Sequence, residues 1–103
     1  MTDSISEQYR LVAKKWVDAD AAANILEETK SATLARLMAD EGDIAVSRAE
    51  MNVKAGDDWA AVVREMVEAR RVATLLKVQL EYLRMKHSEQ QSAEASKRAE
   101  MRL

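Results

Sequence analysis

Cysteine, proline and phenylalanine are missing from this chain, and its 103 residues include only two glycines. Without cysteine there is no disulfide framework, no thiolate nucleophile and no thiolate metal site. A single histidine, His87, leaves little imidazole for a metal centre. Aromatic residues make up 4% of the chain, and with turn residues at only two places a β-rich fold is disfavoured. No apolar run approaches the roughly 20 residues that cross a bilayer. The opening MTDSISEQYR holds no apolar core of a secretion signal. These features predict a cytoplasmic protein with no membrane partner.

Charge is abundant and nearly balanced, with 16 basic and 18 acidic residues. Residues 1–57 carry 7 bases against 11 acids, and residues 58–103 carry 9 against 7. Neither part is a polyelectrolyte tail, and the global field does not draw the chain to nucleic acid.

What remains is helix. Gly42 and Gly56 are the strong local breakers and divide the chain into a long segment, a short bridge and a second long segment, read as one helical domain. The first helix is predicted over about 5–40, opened by Ser4 and Glu7 as a capping box. Ile5, Tyr9, Val12, Trp16, Ala19, Ala23 and Leu26 advance by alternating steps of four and three residues, and the seam resumes toward Leu37. Such steps wind one helix around another. The last helix is predicted over about 58–92 or beyond, with Asp57 or Asp58 as its N-cap. Its seam runs through Trp59, Val62, Met66, Ala69, Ala73, Leu76, Leu80, Leu83 and His87. Between the two, Ser47 and Glu50 form a second capping box and predict a short helix over about 47–55 that closes the hairpin end with Ile44, Val46 and Val53. That segment also fits a DNA-binding helix-turn-helix, the weaker of the two readings.

Two helices of this length must lie side by side, so the predicted fold is all-α: a long antiparallel hairpin of coiled-coil type with a short bridging helix. Pairing Leu37 with Val62 brings Leu26 to Ala73, and Ala19 and Ala23 to Leu80 and Leu76. Outside the seam, Leu11, Ile25, Leu34, Val63, Val67, Val72, Leu75, Val78 and Tyr82 are still apolar. A stripe wider than one seam needs a second burial surface, and a homodimer forming a four-helix bundle supplies it.

Catalytic constellations are not evident. The glycines are single and far apart, so no phosphate loop exists. The only imidazole base, His87, shares its helical region with the nearest serine, and inward glutamates with Glu-x-x-His spacing do not occur. No catalytic residue, metal ligand or cofactor is therefore expected, and the chain is read as a non-enzyme. Arg70, Lys77 and Arg84 recur every seven residues with Arg64 and Arg71 beside them, a basic stripe that could follow phosphates. Glu68, Glu81 and the acidic first helix oppose it, so nucleic acid is the second choice of partner. The tail 92–103 has lost the seam yet keeps Lys97, Arg98, Glu100, Met101, Arg102 and Leu103, suited to a protein surface.

The segments Leu26 to Asp43, Ser47 to Trp59, Met66 to His87 and especially SAEASKRAEMRL (Ser92 to Leu103) resemble a group of small bacteriophage and prophage proteins. That group ends in a similar Glu-Ala-Ser/Thr-x-Arg-Ala-Glu-Met-Arg-Leu signature. The resemblance implies a phage accessory protein of the bacterial host cell, encoded near recombination genes, and transfers no catalytic residue. The expected action is association with a phage or host protein, in phage DNA recombination or replication or in inhibition of a host defence complex such as a nuclease or CRISPR assembly. The alternative is an architectural DNA- or RNA-binding accessory protein using the basic stripe.

Overall fold

The computed structural model describes residues 3–102. They form three helices: α1 (Ile5–Asp40), α2 (Val46–Lys54) and α3 (Asp57–Arg102). Helix α1 starts where Ser4 caps it, its hydroxyl accepting from the Glu7 N–H at 3.2 Å. Only half of the expected capping box forms, because the Glu7 carboxylate turns to Arg10, at 2.5 and 3.0 Å. The helix stops at Gly42, whose φ of 89° lies in the left-handed region that lacks a Cβ penalty only for glycine. Its N–H donates to the Ala39 carbonyl at 3.2 Å, and the Glu41 N–H donates to Met38 at 3.1 Å, so the last turn of carbonyls is partly satisfied.

The bridge differs from the expectation in its caps. Helix α2 opens at Ala45 with no side-chain cap, and Ser47 lies inside the first turn. Ala49 and Val53 are buried, whereas Ile44 and Val46 are exposed, so the hairpin end is closed by one face of α2 and not by its leading apolar residues. Helix α3 opens as the Ala60 N–H reaches the Gly56 carbonyl at 3.3 Å. Asp57 and Asp58 therefore sit within the first turn, where their charge suits the positive helix end.

Helices α1 and α3 run antiparallel and make the molecule a rod of 83 × 23 × 18 Å. The seam is the core. Trp59, Leu80 and Leu83 are buried, and Trp16, Leu26, Leu37, Val62, Met66 and Leu76 are half-buried. Alanines at Ala23 and Ala73 are nearly fully covered, which lets the two backbones approach closely. Toward the open end Val12, Leu80 and Leu83 cluster with Tyr9, Ala13, Trp16 and Leu76. The register differs from the expected one by about a turn. Leu80 packs in the cluster of Val12 and Trp16, not beside Ala19, and Arg70 reaches Asn24. Lys30 interrupts the α1 seam and places its ammonium 6.0 Å from the Trp59 ring centroid, so the apolar stripe is continued there by a cation over an aromatic face.

Helix α3 is the longer partner. Asp3 and Ser4 lie near Gln90, so the last 12 or so residues of α3 project about 18 Å past the start of α1. Every residue from His87 to Arg102 is exposed.

Candidate interaction surface

The two flanks of the hairpin are chemically unlike. Because Arg70, Lys77 and Arg84 are spaced by sevens, they line one edge of the α3 seam, facing the α1 edge that holds Asp20 and Glu27. Arg70 uses its whole fork there. It donates to Glu27 at 2.6 and 3.1 Å, to Asp20 at 2.7 Å and to the Asn24 side-chain carbonyl at 2.7 Å. The bond to Arg70, first among the causes, lowers the Glu27 pKa below its ordinary value, and the two carboxylates raise that of Arg70. This bidentate geometry is specific to arginine.

The remaining stripe residues are divided among other contacts. Arg71 pairs with Glu68 at 2.6 Å on the outer surface. Arg84 lines a groove with Tyr9 and His87, and its pKa is raised chiefly by the Tyr9 side chain. Lys77 lines the neighbouring groove with Trp16 and Glu81. Arg64 is exposed, and Glu68, four residues on, is held by Arg71. The five cations therefore do not present one continuous basic track: Arg70 closes the hairpin, and Arg71 is matched by an acid. What the sequence did not disclose is that Asp20, Asn24 and Glu27 converge on Arg70. Their spacing of three and four residues is the signal that could have found it.

The opposite flank is apolar and open. Leu75, Val78, Tyr82 and Met85 of α3 are each more than half exposed and Val72 is 39% exposed, while Val67, three residues before Arg70, is exposed on the Arg70 side. On α1, Leu11 and Ile25 point to the same flank, with Ile25 61% exposed. Leu34 and Val63, expected among these, are half-covered by the hairpin itself. Exposed apolar residues scattered singly are ordinary, but a row at helical spacing along one side is not.

The tail residues Lys97, Arg98, Glu100, Met101 and Arg102 are all exposed on the projecting end of α3, with Arg98 3.6 Å from Glu94. Leu103 lies outside the described residues. At the other end of the rod an acidic groove is lined by Leu37, Asp40, Glu41, Asn52, Val53, Gly56, Asp57 and Asp58. Among the described residues no group of three or more metal-ligating side chains gathers, and no helix is long and apolar enough to cross a membrane. Compared with family models, curated proteins and solved structures, the chain matches none.

Proposed function

We propose that this chain acts by protein–protein association, as a non-enzymatic phage accessory protein that forms a homodimer and uses its projecting tail to engage a phage or host protein in the bacterial cytoplasm. The observation that carries this reading is the open apolar flank of the hairpin, which a solitary rod would leave in water. The phage setting rests on the resemblance of the four segments ending in SAEASKRAEMRL. Phage DNA recombination or replication, or inhibition of a host defence complex, are the processes this setting favours. An architectural nucleic-acid role is the weaker reading, because Arg70 and Arg71 already hold carboxylates.

Affinity capture from phage-infected bacteria tests the reading. The expected result is one protein recovered in near-stoichiometric amount, rebinding when both components are purified, and lost when the chain is truncated after Gln91. Capture of no protein, together with salt-sensitive binding of oligonucleotides, would overturn it in favour of the basic stripe.

A further inference from the structure

The rod exposes more surface than its mass warrants. Its accessible surface is 8106 Å², whereas a compact monomer of this mass exposes about 5,800 Å². The excess of about 2,300 Å² per chain equals what an extensive obligate dimer removes from each partner. The apolar row on α3 also has a symmetry that selects the occupant. Val72 and Met85 lie equally far from the point between Val78 and Gln79, and so do Leu75 and Tyr82. From Val72 to Met85, apart from Val78, which mirrors Gln79, the stripe reads alike in both directions, and such a stripe is complementary to itself in an antiparallel, two-fold contact.

We propose that a second copy of the chain packs antiparallel on this stripe, α3 against α3, with the two-fold axis between Val78 and Gln79. The proposal rests on the association reading above and names the surface through which the dimer forms. In this register Val72 meets Met85 of the second copy, and Leu75 meets Tyr82, so large side chains cover large ones across the axis. Beyond them the same register sets Glu68 opposite Glu89 and Arg71 opposite Lys86, so the apolar stripe, and not charge pairing at its ends, carries the contact.

Because the chain lacks cysteine, single introduced cysteines report the register directly. Under mild oxidation Gln79→Cys should give a disulfide-linked dimer. Leu75→Cys mixed with Tyr82→Cys should cross-link, while neither does so alone and Lys77→Cys, on the Arg70 edge, stays single. Self-linking of Leu75→Cys would show a parallel dimer, linking of Lys77→Cys would show the wrong flank, and no linking in any variant would show no dimer; each result overturns the proposal. If the cysteines stay single while an infected-cell protein is still captured, this surface is wrong and the association reading stands.

Discussion

Gly42 is a position where the chain has no choice of residue. Its φ of 89° is the one positive φ among the described residues, and a Cβ added there would meet nothing within 4 Å. The cost of Gly42→Ala is therefore backbone strain alone, and should be about 1 kcal/mol of stability by urea denaturation. Gly56→Ala places its Cβ 3.4 Å from the Val53 carbonyl oxygen, an ordinary contact, and should change stability by no more than about 0.5 kcal/mol. Arg70 makes a second residue-scale prediction. The pKa of Glu27 is lowered from 4.5 by the bond to Arg70. The stabilisation is thus present above the unfolded value and is lost as the pH falls below about 4.5 through the lower folded value. Thermal midpoints should accordingly drop on acidification in that range, and Arg70→Gln should lower the midpoint at neutral pH while making the acid limb shallower. Equal acid sensitivity in the two proteins would show that the clamp contributes nothing.

At the scale of the helices, the seam was legible as far as Leu83 because burial in a helical pair obeys one period, whereas His87, which the spacing also selects, is exposed where α1 ends beside it. Every seam residue from Trp16 to Leu83 that the spacing selects is buried or half-buried except Lys30, which the spacing itself marks as a break. The register was not legible. Ala19, Ala23, Ala69 and Ala73 look alike to a one-turn slide, and only the convergence of Asp20, Asn24 and Glu27 on Arg70 distinguishes the true pairing. The caps of α2 were misread for a similar reason: Ser47 and Glu50 have the right spacing, but the preceding turn ends at Ala45. Two predictions belong here. Truncation after Gln91 removes a stretch with no α1 beside it, so at concentrations where both chains are dissociated the thermal midpoint should be unchanged. Oligonucleotide anisotropy at about 50 mM salt should show little binding, because low salt exaggerates phosphate contacts and the stripe is already divided. Tight binding that disappears when Arg64, Lys77 and Arg84 are replaced by glutamine would instead assign those residues to a phosphate track.

For the whole molecule the deciding fact is shape. A rod 83 Å long and about two helices wide has one contact layer, and its buried apolar side chains are few: Val12, Val53, Trp59, Leu80 and Leu83, with Ala23, Ala49 and Ala73. The apolar width that the sequence showed beyond the seam is present in the structure as an open flank, while the flank across from it is closed by Arg70. Sequence periodicity could indicate that a second surface exists, but not which side carries it, because that depends on how α1 and α3 are rotated against each other. The account holds that a second chain covers this side. Multi-angle light scattering at low micromolar concentration measures that most directly. The account predicts a mass twice the 11.6 kDa of the chain, reduced to the single chain mass by Leu75→Glu with Tyr82→Glu while helicity is retained at higher concentration. A wild-type protein that folds cooperatively at the single chain mass throughout that range would contradict it.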